Sequence, residues 1–395
     1  MSDLGSTARV DYDSIGIADL RRGGGLKWTM YPGKIGAFVA EMDFPPAPPI
    51  TAALHAAVDD GRFGYLPEDL ARDMARACAA FNRSRYGWDV AATDVHPIAD
   101  VVAGLTVAIE HFCAPGSPVI LPTPAYMPFL DVPPAMGREL VEIPMRSESG
   151  YYSYDLAAIE AAFRMPGQLL ILCNPHNPIG RVLHREEMVA IAAVVERCGG
   201  RVFSDEIHAP LVFHGNRHVP YASIDEVTAG HTVTALSASK AWNLPGMKCA
   251  QMIVSNQADA QKWAEVGFMA EHGAANLGVV ANTTAFTSGG PWLDDVLDYL
   301  DGNRGLLAEL VADQLPNVGY VPPEGTYLAW LDCRALGLDE PYQFFLDRAG
   351  VALVDGIRCG QAGKGFVRYN FATPRPIMIE TIERMGKAVR DRQRL

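Results

Sequence analysis

Apolar and polar positions follow two distinct rhythms along the chain. Between about residues 50 and 285, short and nearly continuous apolar runs recur: Ser117 to Leu121, Gln168 to Cys173, Arg201 to Ser204, Thr232 to Leu236 and Cys249 to Val254. Runs of this length without alternation are what strands covered on both faces require. Between them lie stretches at helical spacing, such as REEMVAIAAVVERC, so that strand and helix take turns. This rhythm predicts an α/β fold with a mostly parallel sheet sandwiched by helices. After SGGP at 288 to 291 the character changes, and Trp292, Val296, Tyr299, Leu300, Leu307, Leu310 and Val311 fall on one stripe of a long helix able to bridge two domains. From 320 onward, short strands and helices predict a smaller α+β domain. Before residue 50, the stretches RRGGG, YPGK and FPPAPP carry loop chemistry and predict an extended arm. The expected organisation is an arm over 1–49 that also joins the small domain, a large domain over 50–288 and a C-terminal small domain over 289–395.

A chain of 395 residues exceeds what one hydrophobic core normally fills, which leaves room for a cleft between two domains. The net charge of -13, with no Lys/Arg-rich run to offset it, argues against nucleic acid as a partner. No apolar stretch is long enough to span a membrane, and MSDLGSTARVDYDS lacks a basic region followed by an apolar one, so a soluble, cytoplasmic protein without a membrane partner is expected. The 7 cysteines are odd in number and never in CxxC spacing, which reads as reduced thiols. His208, His214 and His218 fall close together, but a proline and β-branched residues break any common helical face, and no metal is expected.

Three stretches end apolar runs with polar groups: CNPHNPIGR at 173 to 181, SDEIH at 204 to 208 and SASK at 237 to 240. In an open α/β sheet, loops at the carboxyl ends of strands line the ligand crevice. An aldehyde cofactor with a ring nitrogen and a phosphate requires a lysine amine for a Schiff base and a carboxylate facing the ring nitrogen. Lys240 and Asp205 supply these. Its phosphate requires hydroxyls, amides at a helix entrance and a cation, for which Ser237, Ser239, Gly104, Leu105, Thr106 and Lys248 are the candidates, although Lys248 also reads as a solvated lysine. Asn177 suits the ring's phenolic oxygen. His208 reads equally as a cofactor contact or as a hydrogen-bonded structural histidine. Tyr126 offers an aromatic platform. The glycine cluster GQAGKGF lacks P-loop spacing and reads as a flexible loop before the strand that carries Arg368.

Together, AGLTVAI, the tyrosine of TPAY, NPHNPIG, SDEIH, SASK with Lys248 eight residues on, and RYNFATPR resemble the fold type I pyridoxal-phosphate enzymes, the aspartate aminotransferase superfamily, over essentially the full chain. The resemblance implies pyridoxal 5′-phosphate (PLP) on Lys240, with Tyr126 and Asp205 beside it. It also implies a homodimer with shared active sites, in which Tyr65 of FGYLP reaches the neighbouring subunit's phosphate. Arg368 then grips the α-carboxylate of an amino-acid substrate, helped by Asn177. The segment KWTMYPGKIGAFVAEMDFPPAPPI, with its KW, YP and MDF, resembles the MalY/PatB-type cystathionine β-lyases. This narrower likeness implies a PLP-dependent carbon–sulfur β-lyase that cleaves cystathionine or another cysteine S-conjugate to a thiol, pyruvate and ammonia. Phe38 stands where such enzymes commonly have tryptophan and Glu41 where they have aspartate; Phe38 and Asp43 are the substrate contacts expected from this segment. An aminotransferase outcome shares the early steps and stays open. A ligand-sensing protein on the same fold is less consistent with a chain that keeps both Lys240 and Asp205.

Overall fold

The computed structural model describes residues 10–394. Its centre is a seven-stranded sheet made of β1 (Val95–Ile98), β2 (Val119–Thr123), β3 (Leu140–Pro144), β4 (Leu169–Cys173), β5 (Arg201–Asp205), β6 (Thr232–Leu236) and β7 (Ala250–Val254). The order across the sheet is β1-β7-β6-β5-β4-β2-β3, and only β7 runs against its neighbours. All five expected strands are present within two residues of their predicted bounds. β1 and β3 were not expected, and both form edges. Pro97 in β1 and Pro144 in β3 cost little there, because an edge strand has one side without ladder partners.

Successive side chains of the interior strands enter opposite layers, which is why these strands read as unbroken apolar runs. Leu170 and Leu172 pack with Met188, Ile191 and Val195 on one face. Leu169 and Ile171 pack with Val101, Leu105 and Ile109 on the other. Since six strands run the same way, their carboxyl ends meet along one edge of the sheet.

The long helix spans Gly290–Gln314 and buries Trp292, Leu293, Val296, Leu300, Leu307 and Val311. It leads to a second, antiparallel sheet of β8 (Gly319–Tyr320), β9 (Leu328–Asp332), β10 (Val354–Asp355) and β11 (Phe366–Asn370), in the order β8-β9-β11-β10. The arm is attached to this second unit. Ile35–Gly36 pairs in parallel with Val351–Ala352. Beyond it, Asn370 N donates to Ala37 O at 2.9 Å and Asp43 N to Ala372 O at 3.0 Å. Within the GQAGKGF stretch, expected to be a flexible loop, Gln361–Gly363 instead forms a 3₁₀ turn, directly after another at Gly356–Cys359. A Cβ on Gly363 would lie 2.0 Å from the Gly356 carbonyl oxygen, so the glycines there serve close backbone packing. Among the described residues, no helix is long and apolar enough to cross a membrane, and no cluster of three or more side chains could hold a metal ion.

Candidate active site

The carboxyl-end edge of the large sheet opens into a cavity of ≈170 Å³ lined by Tyr126, Asn177, Asp205, His208, Ser239 and Lys240, with Val101 and Val102 at one end. Each polar group arrives there for a local reason. Asp205 is the last residue of β5. Its backbone is held between β4 and β6, and its Oδ1 accepts from Ile207 N at 3.0 Å. Lys240 sits in the single turn Ala238–Ala241, which Ser237 caps by accepting from Ser239 N at 3.0 Å. The helix Val101–His111 begins at the same edge, capped by Asp100, whose Oδ1 accepts from Ala103 N at 2.8 Å. Lys248 Nζ pairs with Asp100 Oδ2 at 2.8 Å and so lies over that helix N-terminus.

Burial sets the electrostatics. It raises the Asp205 carboxyl from 3.8 to about 6 and lowers the Lys240 amine from 10.5 to about 8, with the Arg368 charge adding to the latter. Burial, then the Lys240 charge, pull His208 well below the usual imidazole range, so its ring is neutral. The β11 residue Arg368 donates from Nη1 to Asn177 Oδ1 at 2.9 Å and from Nη2 to the Phe38 carbonyl at 2.8 Å, while its buried Nε has no partner. His208 Nδ1 is likewise buried and unpartnered. Buried polar atoms without partners are rare in native proteins. These two adjoin an amine suited to an aldehyde carbon, a carboxyl suited to a ring nitrogen, and a helix N-terminus with a lysine suited to a phosphate. This donor set fits PLP.

The structure brings Lys240, Asp205, Asn177, His208, Tyr126, Ser239 and Lys248 to this cavity and ties Arg368 to it through Asn177. Other expected residues lie elsewhere. Gly104, Leu105 and Thr106 are not at the helix entrance. They lie about one turn inside, where Leu105 is buried and Thr106 Oγ1 donates to Val102 O at 3.2 Å; the first-turn residues are Val101 and Val102. Ser237 does not line the cavity, and its hydroxyl donates to Cys249 O at 2.7 Å. Asp43, expected as a substrate contact, does not line the cavity. Its carboxylate is buried against Lys27 Nζ at 2.8 Å and Trp28 Nε1 at 2.7 Å. The KW and MDF signatures are therefore two halves of one buried clamp. Phe38 reaches the site through its carbonyl on Arg368, and its ring packs edge-on against Tyr31 at 5.2 Å. Tyr65 is 91% exposed and takes no part in its own chain's cavity.

Some groups at the site were not singled out in advance. Asp100 anchors Lys248, and its signal was the polar residue just before VVAGL. Cys173 Sγ stands 3.6 Å from Asp205 Oδ2. The Ala40 carbonyl accepts from both Lys240 Nζ and Tyr327 Oη at 2.9 Å. Glu206, next to Asp205, faces away from the cavity, accepting from Ser204 Oγ and Tyr221 N at 2.9 Å and lying 3.0 Å from His218 Nε2.

Residues 39–383 match the family profile of aminotransferase class I and II. The cystathionine β-lyase of Corynebacterium glutamicum is 36% identical over 94% of this chain and 99% of its own length. The crystal structure of a candidate PLP-dependent β-cystathionase from Corynebacterium diphtheriae superposes with a TM-score of 0.90 at 38% identity, covering 95% of this chain and 98% of that one. Cystalysin from Treponema denticola, whose structure contains PLP, gives a TM-score of 0.91 at 28% identity over 97% of this chain and 100% of its own. The cavity chemistry and these likenesses agree: the chain belongs to the aminotransferase class I and II family of PLP-dependent enzymes, in the subgroup of the cystathionine β-lyases.

Proposed function

We propose that this protein is a carbon–sulfur β-lyase that removes the thiol from cystathionine or a related cysteine S-conjugate and releases pyruvate and ammonia. The observation that carries this reading is one cavity joining the Lys240 amine and the Asp205 carboxyl, with the Arg368–Asn177 pair at its border. PLP bound there supplies an electron-accepting ring that stabilises the charge left when an amino acid loses its Cα proton.

The chain's own groups would do the rest. Val101 and Val102 amides, Ser239 and Lys248 hold the phosphate at the helix N-terminus. Asp205, once ionised, holds a proton on the ring nitrogen. Arg368 binds the α-carboxylate through its planar fork, which fixes Cα against the ring. Lys240, released by the incoming amino group, takes the Cα proton at Nζ. With its pKa near 8, a useful fraction is the neutral base at physiological pH. Expulsion of the thiolate from Cβ then completes the elimination, and the released enamino acid takes up water to give pyruvate and ammonia.

The proposal includes a homodimer in which Tyr65 is given to the partner's site. Its 91% exposure, beside the also exposed Phe63, Phe268 and Met269, supports this. All seven cysteines are free thiols, which supports a reducing, cytoplasmic setting. The test is product formation. Purified protein with PLP should release pyruvate from cystathionine with no 2-oxo acid added, and Lys240→Ala should lose covalent cofactor. Strict dependence on an added 2-oxo acid would replace this reading with an aminotransferase, and a protein that takes up no PLP would end both.

A further inference from the structure

The VAEMDF stretch of the arm is only partly explained by its likeness to lyases. Asp43 is a structural clamp, yet the backbone just before it is aimed with unusual care. Asn370 Nδ2 donates to Val39 O and to Glu41 O, both at 2.6 Å, and so brackets Ala40 from both sides. Asn243, three residues after Lys240, donates to Met42 O at 2.9 Å and Phe44 O at 3.0 Å and accepts from Met42 N. With its neighbours fastened to β11 and to the lysine's own loop, the Ala40 carbonyl points the other way. There it meets Lys240 Nζ and the hydroxyl of fully buried Tyr327, each at 2.9 Å.

We propose that the Ala40 carbonyl is the resting place of the Lys240 amine whenever that amine is free of the cofactor, and that Tyr327 is a positioning residue that keeps this carbonyl hydrogen-bonded while the lysine is away. The inference rests on the reading of Lys240 as cofactor anchor and proton carrier. A lysine in that role must leave and return in every turnover. A buried carbonyl deserted each time would lose its hydrogen bond, at a cost comparable to the desolvation of the group. Two donors on one oxygen solve this, since a carbonyl has two lone pairs. The acceptor also stabilises the ammonium form, so the proton taken from Cα is held at Nζ against Ala40 O until it is passed on. The charged and titratable groups facing Nζ are Glu41 on the arm, Asp205 at the end of β5, His208 in the turn beyond it and Arg368 on β11. Removing the Tyr327 hydroxyl substitutes none of them.

The test is Tyr327→Phe in the holoenzyme, which keeps the buried ring and deletes the donor. With Lys240 as its remaining donor, the carbonyl should hold the ammonium more tightly. The acidic limb of kcat should then move up by about one pH unit, and PLP retention, read from the visible absorbance during dialysis, should weaken roughly tenfold. Both shifts are required; a limb that stays or moves down, or retention within about twofold of wild type, overturns the proposal. If Tyr327→Phe does not fold, 3-fluorotyrosine at position 327, a stronger donor of nearly the same shape, should move both quantities the opposite way, and no movement overturns it. Loss of cystathionine cleavage in the wild type would count against the proposed substrate, whereas the retention measurement judges Tyr327 by itself.

Discussion

Arg368 Nη1 donates to Asn177 Oδ1 at 2.9 Å, joining the last strand of the small sheet to the loop that follows β4 of the large one. A second bond from Nη2 to the Phe38 carbonyl brings in the arm. Three segments far apart in sequence therefore share one guanidinium, and a carboxylate docking on it would act on all three at once. Its unpartnered Nε supplies a donor not used within the protein.

Arg368→Lys keeps the charge but lacks the planar fork. We expect kcat/KM for the amino-acid substrate to fall about 30-fold or more, corresponding to roughly 2 kcal/mol for a broken buried charge pair. The visible spectrum of bound PLP should be unchanged, since the cofactor bond is made by Lys240. Steady-state kinetics together with the absorbance spectrum check both halves.

Asp205 illustrates a site that is costly to the fold. Burial raises its carboxyl from 3.8 to about 6, so folding favours the protonated acid. Its stabilising contribution is therefore complete below pH ~4 and is lost as pH rises through about 6. In cofactor-free protein, Asp205→Asn should be more stable than wild type at pH 8 by about 2–3 kcal/mol, and the difference should vanish near pH 4. Urea unfolding at the two pH values measures this. The same variant loaded with PLP should lose at least about a hundredfold in kcat.

Much of this architecture could be read from the chain, and the parts that could not share a cause. The five interior strands were legible because double burial removes polar positions. Val95–Ile98 and Leu140–Pro144 were not, because one side of an edge strand tolerates proline and polar residues. Lys240, Asp205 and Arg368 stood out as ionisable groups closing or interrupting apolar runs. The helix entrance lies a turn earlier than GLT suggests, because the Asp100 cap precedes VVAGL. The glycine of VVAGL instead allows close packing, since a Cβ there would meet Ile98 Cδ1 at 2.9 Å. The buried pairing of Asp43 with Lys27 and Trp28 was not legible, because it is set by the tertiary path of the arm, which local pattern does not encode.

The Lys27–Asp43 clamp makes its own prediction. Both side chains are almost fully buried, at 2% and 3% exposure, so removing one leaves the other charged without its counter-ion. Lys27→Met should destabilise the protein by about 3–5 kcal/mol. Adding Asp43→Asn should restore most of that, since an amide oxygen can still accept from Trp28 Nε1. Chemical denaturation follows the stability. KM per folded active site should stay within roughly twofold in the double variant; a larger change would return Asp43 to the substrate site.

Tyr65 tests whether the active site belongs to one chain or two. It stands 91% exposed, on a loop whose Gly64 carbonyl accepts from Asn276 Nδ2 at 2.7 Å, so the backbone is held while the side chain projects into solvent. If a partner receives that side chain, Lys240→Ala and Tyr65→Ala damage different contributions to the same site. Random reassortment of the two variants in a symmetric dimer would place intact Lys240 and intact Tyr65 together in about a quarter of all sites. Mixing the two inactive proteins under mild dissociating conditions should then recover activity toward that fraction, while each alone remains inactive. Were Tyr65 to act within its own chain, no combination of subunits could rebuild a complete site and mixing would recover nothing.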